Sequence, residues 1–467
     1  MGGRNRYSRS LAHLSIYLFL ALSLAACQAQ PAAIPAVTAT LANTATPAST
    51  ATPAPPPGTF WVETTQDLGE ISKFVLGANH GPLWALGPGN IEPVKNAGVT
   101  FLRWPGGAWG DHNDIQPFYI DLYMNEARIA GAEPSITVRL PNSTPEAAAA
   151  LVRYVNVDMQ YGIKYWSIGN EPSLYEQDTS LKGQAWDAVT NAKRWREFAL
   201  AMKAADSTIK LYGPDTHQFK GDPAFDPKDS QGRDYLREFL KVNADLVDIV
   251  SVHRYPFSPC LTCKPLTPAD LLANTPEWDD IIPNLRRVVK DVTGKDLPVG
   301  VMEYNSNTSN IVTAEASPDS FPNAIWLADV LGRMIRHRPD MLAYWQLKST
   351  GSGHGLMDSY NLRPTYYVFQ IYKRFGNHLL AAHSPEDMVS VFAARKDDGT
   401  ITVILVNRGE TAVTKPLKLE QGDALKLGEA RLFDKEHKAE AVTLPAFTNG
   451  APVELAGYSV TLLVFNP

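Results

Sequence analysis

Two glutamates in this chain stand where a carboxylate can do chemistry. Glu171 closes the run Tyr165-Trp166-Ser167-Ile168-Gly169-Asn170-Glu171-Pro172, with an amide directly before it and a proline fixing the turn behind it. Glu303 closes the apolar run Pro298-Val299-Gly300-Val301-Met302-Glu303 and is followed by Tyr304 and Asn305. A pair of carboxyls on either side of a sugar ring, one protonated and one ionised, is what cleavage of an acetal needs. The acid assists the leaving oxygen, and the anion meets the oxocarbenium-like carbon. A lone glutamate at the end of an apolar run is usually a solvated anchor; two of them, with Asn170 beside the first, form a narrower pattern.

Such a pair must be carried by elements that bring distant residues to one mouth. From Phe74 onward β-rich runs alternate with helix-like stretches, and the expected strands are Phe74–Ala78, Thr100–Trp104, Ser135–Arg139, Tyr165–Gly169, Lys210–Gly213, Ile249–His253, Val299–Glu303 and Leu342–Gln346. Between them read helices such as Pro145–Tyr161, Ala188–Ala205, Tyr235–Val242, Trp278–Val292 and Asn323–His337. Thr144 before Pro145-Glu146 is a hydroxyl N-cap, and Gly162 is a C-terminal stop. Eight βα units predict an α/β fold, a parallel (β/α)8 TIM barrel over residues 59–375, whose chemistry belongs at the C-terminal ends of the strands. Glu171 and Glu303 then close the fourth and seventh strands and face each other across the mouth.

After about residue 376 the texture changes to short alternating strands: Val389–Ala393, Ile401–Asn407, Val413–Leu419, Glu429–Phe433, Ala441–Leu444 and Tyr458–Phe465. They predict a β-sandwich over 376–467, with 60–72 as a possible extra strand. Pro416 limits the third of them to an edge at best.

The composition fits a globular protein, 44% hydrophobic and 20% charged over 467 residues. A charge of 43 − 49 = −6 without a basic block argues against nucleic acid as a partner. Ten tryptophans and 18 tyrosines suit a wet groove that stacks flat ligands. The N-terminus is an address. Arg4, Arg6 and Arg9 precede an apolar run over 14–26 too short for a permanent span, so 1–26 reads as a signal peptide. Leu24-Ala25-Ala26-Cys27 resembles a bacterial lipobox, which implies lipidation of Cys27, a membrane anchor and an exported, cell-surface location. A plain secretory cleavage is the alternative. Residues 28–58 hold 10 Ala, 7 Pro and 6 Thr with no charge, the composition of an extended tether. Cys260 and Cys263 form a C-x-x-C that could serve zinc, redox exchange or a local disulfide; without a second such motif, and in an oxidising compartment, the disulfide is expected.

The Gly169-Asn170-Glu171-Pro172 motif with Glu303 resembles the signature of the large (β/α)8 clan of retaining glycoside hydrolases. Arg103-Trp104-Pro105-Gly106-Gly107 is similar to the Arg-x-Pro-Gly-Gly segment of its α-L-arabinofuranosidase-type members; endoglucanases and β-xylosidases are related. The resemblance covers roughly residues 60–467. It implies that Glu171 is the acid/base and Glu303 the nucleophile, with Asn170 bonding the sugar 2-hydroxyl and Arg103 keeping Glu303 ionised. His253 and Tyr255 match a His-x-Tyr feature that supports the carboxylates or substrate. Trp345 would stack on sugar, or else pack in the core. It implies a carbohydrate substrate, no cofactor and no metal.

Asn79, His80, Trp109, Asp111, His112, Asp215, His217 and Tyr304 follow strands and are weaker candidates for reading substrate hydroxyls. Asp111, His112 and Asp114 lack a helical ligand register, so a metal site there is not expected. The loop from Trp109 to Asp114 departs from the arabinofuranosidase pattern, which leaves the sugar open. A carbohydrate-binding lipoprotein without catalysis is the competing expectation, and an inverting hydrolase a further one.

Overall fold

The computed structural model describes residues 55–258, 264–309, 312 and 314–467. The expected signal peptide, Cys27, the tether up to residue 54 and the Cys260/Cys263 pair lie outside the described residues. Among the described residues no helix is long and apolar enough to cross a membrane.

After a first strand, β1 (Phe60–Glu70), the chain builds a closed parallel barrel. Its strands are β2 (Gly77–Asn79), β3 (Phe101–Trp104), β4 (Glu133–Val138), β5 (Tyr165–Ile168), β6 (Lys210–Thr216), β7 (Ile249–Arg254), β8 (Val299–Tyr304) and β9 (Met341–Tyr344). All eight expected strands are present. The first is displaced, because Phe74 is spent below the strand, where its ring meets Phe101 and Tyr165 at 5.7 and 5.4 Å between centroids. With Tyr212, Ile249, Met302, Met341 and Ala343 these rings fill the N-terminal end of the barrel with apolar matter. Above that plug come small hydroxyls: Ser135 Oγ meets the Tyr212 hydroxyl at 3.0 Å, and Thr137 Oγ1 meets Ser167 Oγ at 2.7 Å. Polar groups therefore begin midway up the barrel and charged ones gather at its C-terminal mouth.

The helices form where amphipathic periodicity and caps agree. Thr144 accepts from the Ala147 amide at the start of Pro145–Val152, and Asp187 caps Ala188–Ala205. The expected helix to Tyr161 is instead α-helical to Val152 and then a wider π-turn over Arg153–Asp158.

The remaining strands are β10 (His378–His383), β11 (Val389–Arg395), β12 (Ile401–Asn407), β13 (Val413–Leu419), β14 (Lys426–Phe433), β15 (Lys438–Ala441), β16 (Pro452–Leu455) and β17 (Ser459–Asn466). With β1 they make one sheet in the order β15-β14-β17-β12-β11-β10-β1-β13-β16, folded over its own core as a β-sandwich. The weakly expected N-terminal strand is thus real, antiparallel to β10 and parallel to β13. The expected strand Ala441–Leu444 is corrected: the strand paired with β14 is Lys438–Ala441, the Val442 N–H makes one more bond to the Ala430 carbonyl, and Pro445 soon follows. Pro416 does not lie on an edge strand. β16 pairs with β13 up to Pro416 while β1 pairs only from Leu417 onward, so the missing N–H faces no partner.

β12 shows why both faces of this sheet are apolar. Ile401, Val403 and Leu405 join the sandwich core, whereas Ile404 and Val406 join the core shared with the barrel.

Candidate active site

Strict alternation along β8 would not send Glu303 inward, because Val299 and Val301 both face the outer core. Val301 pairs with Val252 and Glu303 with His253, so Met302 is an extra residue in the ladder. That bulge resets the alternation and turns Glu303 into the mouth. β6 uses the same device: Pro214 pairs with Ser251 and Thr216 with Val252, leaving Asp215 as the extra residue at φ +57°. Tyr304, next after Glu303, consequently points outward. Its ring lies against Trp278 and Tyr344 at 5.9 and 5.5 Å, fully buried, so it is corrected from substrate reader to core residue.

Arg103 at the end of β3 is the hub. Nη1 donates to Asn79 Oδ1 at 2.9 Å and to Glu303 Oε2 at 3.1 Å; Nη2 donates to Asn170 Oδ1 at 2.8 Å and Asp215 Oδ2 at 3.1 Å. The residue is wholly buried. Burial works against its charge, but Asp215 and Glu303 outweigh that and raise its pKa above the ordinary value. Asn79 gives its amide nitrogen to the carbonyls of Met302 and Ala343, and Asp215 also accepts from the Ser251 hydroxyl. Neither can read substrate. Both are corrected to supports that hold the guanidinium.

Glu303 also accepts the Tyr255 hydroxyl at 2.7 Å on Oε1. Glu171 Oε1 lies 3.0 Å from His253 Nδ1. One oxygen of each carboxylate and a nitrogen of His253 all fall within 4.8 Å of one another. Those atoms could geometrically surround a cation, but the Arg103 guanidinium already occupies the electrostatic role one would play beside Glu303.

Burial pushes both carboxyls above the ordinary glutamate value. Arg103 opposes that rise at Glu171, while Arg103 and the Tyr255 hydroxyl oppose it at Glu303. Only Glu303 takes hydrogen bonds from both a guanidinium and a phenol, donors that favour the anion. Of one proton shared by the pair, Glu171 is the better holder. Burial lowers His253 to about 4, so its ring is neutral near pH 7 and serves Glu171 as a hydrogen-bond partner.

These groups open into a cleft of about 240 Å³ lined by Gly107, Ala108, Asn170, Glu171, Tyr255, Glu303, Thr308, Trp345 and His354. Because Asn170 Oδ1 is taken by Arg103, its amide nitrogen is the donor left for the cleft. Trp345 is half-buried and its ring rests on the double glycine: a Cβ at Gly106 or Gly107 would come within 3.0 or 2.6 Å of it. A larger hollow of about 300 Å³ lies at the opposite end of the barrel, beside Phe74 and Tyr165, and none of the candidate residues line it.

The weaker candidates separate. His80 is fully buried against Glu126 at 2.9 Å, away from the cleft. Asp111 is buried under the turn that carries Glu171. Both are corrected: as buried groups with protein partners they have no face for a substrate. His112 meets Asp178 at 3.6 Å, Trp109 packs edge-on to Tyr119, and His217 Nδ1 is 2.7 Å from Ser173 Oγ. None of these three lines the cleft. Sequence reasoning missed Ser251, Tyr175 and His354. Tyr175 alone carried a signal, its place three residues past the end of the Gly169-Asn170-Glu171-Pro172 motif.

Comparison with solved structures gives the fold its relatives. An α-L-arabinofuranosidase from Thermotoga maritima, in complex with arabinose, superposes with a TM-score of 0.67 at 17% identity, over 87% of this chain and 99% of that one. A Paenibacillus polymyxa xyloglucanase of glycoside hydrolase family 44, with xyloglucan, gives 0.68 at 15%, over 88% and 99%. A bifunctional glucanase–xylanase from a metagenome library gives 0.67 at 17%, over 88% and 99%. The fold is one that glycoside hydrolases use. Residues 386–463 match the family described as D-apionate lactonase, C-terminal immunoglobulin-like domain. No curated protein matches the chain.

Proposed function

We propose that the protein is a retaining glycoside hydrolase acting on an extracellular poly- or oligosaccharide. The observation that carries the reading is the pair Glu171 and Glu303, opposed within 4.8 Å across one cleft and in different hydrogen-bonding environments. That spacing favours retention, since inverting enzymes hold their carboxyls roughly 6.5–9.5 Å apart to admit a water. Glu303, ionised beside Arg103, attacks the anomeric carbon while Glu171 gives its proton to the departing oxygen. Glu171 then takes a proton from water, which releases the sugar from Glu303. The Asn170 amide meets the 2-hydroxyl, and Trp345 offers its ring face. After removal of the leader over residues 1–26, lipidated Cys27 and the tether over 28–58 would hold the enzyme at the outer face of the membrane within reach of polymer; a disulfide between Cys260 and Cys263 would stiffen the loop after β7.

The lactonase match over 386–463 favours a second reading, opening of a sugar lactone, in which the same carboxyls would activate water and protonate the ring oxygen. A screen of aryl arabinofuranosides, xylosides, glucosides and glucuronides beside aldonolactones separates the two. Aryl glycoside turnover is expected, and Glu303→Gln and Glu171→Gln each remove most of it. Azide restores turnover to Glu171→Gln with a retained-configuration glycosyl azide. Full turnover by either variant overturns the roles, and activity on lactones alone overturns the glycosidase.

A further inference from the structure

Asp111 is a buried carboxyl for which that mechanism has no use. It sits on the short helix Trp109–His112, directly after the double glycine, and is 3% exposed. Its two oxygens lie 3.2 and 3.1 Å from the Asn170 backbone nitrogen, and Oδ2 accepts the Tyr175 hydroxyl at 2.8 Å. The same hydroxyl is 3.1 Å from the Asn170 nitrogen, which closes a three-membered ring of contacts. Asn170 immediately precedes Glu171 and Tyr175 belongs to the 3-10 turn Pro172–Gln177 that follows it, so one carboxyl group ties together both flanks of the acid/base residue.

That residue needs holding. Glu171 has φ +47° and ψ +55°, the left-handed region that a residue with a Cβ seldom occupies, reached here just before a proline. Gly169, at φ +75°, lets the Tyr175 hydroxyl in: a Cβ there would sit 2.6 Å from it. The far side of the Tyr175 ring is fixed edge-on against Trp186, 5.0 Å between centroids. Neither Asp111 nor Tyr175 lines the cleft.

We propose that Asp111, acting with Tyr175, is the positioning residue that fixes the Glu171 carboxyl for proton donation. The inference rests on the reading of Glu171 as acid/base. Asp111→Asn keeps the shape, but with its oxygen at the Oδ2 position it sets an N–H₂ against the Asn170 backbone N–H, and in the reverse orientation it takes the acceptor from the Tyr175 hydroxyl, so in either case the strained turn relaxes. Tyr175→Phe removes only the hydroxyl.

The test uses leaving-group dependence. A phenyl glycoside needs its oxygen protonated as it departs, whereas a 2,4-dinitrophenyl glycoside does not, and kcat/KM reports that first step. With the phenyl and 2,4-dinitrophenyl α-L-arabinofuranosides, or the same pair for whichever sugar the screen finds, Asp111→Asn should lose about 10- to 100-fold on the phenyl substrate. It should stay within about threefold on the dinitrophenyl one, and Tyr175→Phe should show the same selectivity at about fivefold. Glu171→Gln runs in parallel. Equal loss on both substrates by Asp111→Asn and Tyr175→Phe, or no loss, overturns the inference while a selective Glu171→Gln leaves the acid/base reading standing. A Glu171→Gln without selectivity overturns that reading itself, and the inference with it.

Discussion

At the scale of single residues, Arg103 organises the mouth, since one buried guanidinium serves four acceptors from β2, the turn after β5, β6 and β8. A planar fork can span them and a point ammonium cannot. Arg103→Lys is therefore expected to cut kcat/KM by more than about 100-fold. It should also lower stability by about 3 kcal/mol, because Glu303 or Asp215 is left buried without its partner. Kinetics and urea unfolding on the same preparation check both; a variant with near-normal turnover would remove Arg103 from the centre. Glu171, Glu303, Asn170 and Arg103 were legible in the sequence because each closes a strand-like run in a distinctive motif. Asn79, Asp215 and Tyr304 were misread for a common reason. A polar or aromatic residue after a strand looks the same whether it turns to the cleft, to the hub or to the outer core, and in β6 and β8 that direction is set by an extra residue in the ladder.

At the scale of elements, the βα repeat could be read from hydrophobic runs and caps, and the helix Ala188–Ala205 was delimited to the residue. What the runs do not contain is register. Met302 looks like one more apolar strand residue, yet its insertion turns Glu303 inward. The loop after β3 shows another relation hidden from sequence, between Gly106-Gly107 and a tryptophan more than two hundred residues away. Gly107 has φ +68°, and a Cβ there would come 2.6 Å from the Trp345 ring. Gly107→Ala must shift that ring or the loop, at about 1–3 kcal/mol for the crowding. Since Trp345 would stack on sugar without joining the chemistry, the expected effect is a rise in KM of about tenfold with a smaller change in kcat. Steady-state kinetics decides, and a fall in kcat at constant KM would assign the platform another role.

At the scale of the whole molecule, the sheet built by β1 and β10–β17 is bonded to the βα unit that carries Glu303. The helix Phe321–Arg336, next after β8, holds Asp329 fully buried between Arg333 Nε at 2.8 Å and Arg408 Nε at 3.0 Å, and Arg408 belongs to the turn after β12. Arg333 also donates to Ser390 Oγ on β11 at 3.1 Å, and the Phe392 ring lies so near Gly332 that a Cβ there would meet it at 2.3 Å. Sequence texture could separate a β-rich tail from the barrel, but it could not show that β1, before the barrel, completes that tail's sheet, because strand pairing across the chain leaves no local mark. The consequence is cooperative unfolding. Nine of the ten tryptophans lie between Trp84 and Trp345 and one, Trp61, on β1, so fluorescence reports chiefly the barrel and far-UV circular dichroism both parts, and the two should trace one urea transition rather than two. Arg408→Met leaves Asp329 with one cation instead of two and should shift that whole transition by about 3 kcal/mol. Gly332→Ala should shift it by about 1–3 kcal/mol through overpacking against Phe392. If either variant instead split the curve, with one probe moving and the other not, the sandwich would be an independent module. Its contacts with the helix behind Glu303 would then be adjacency without energetic coupling.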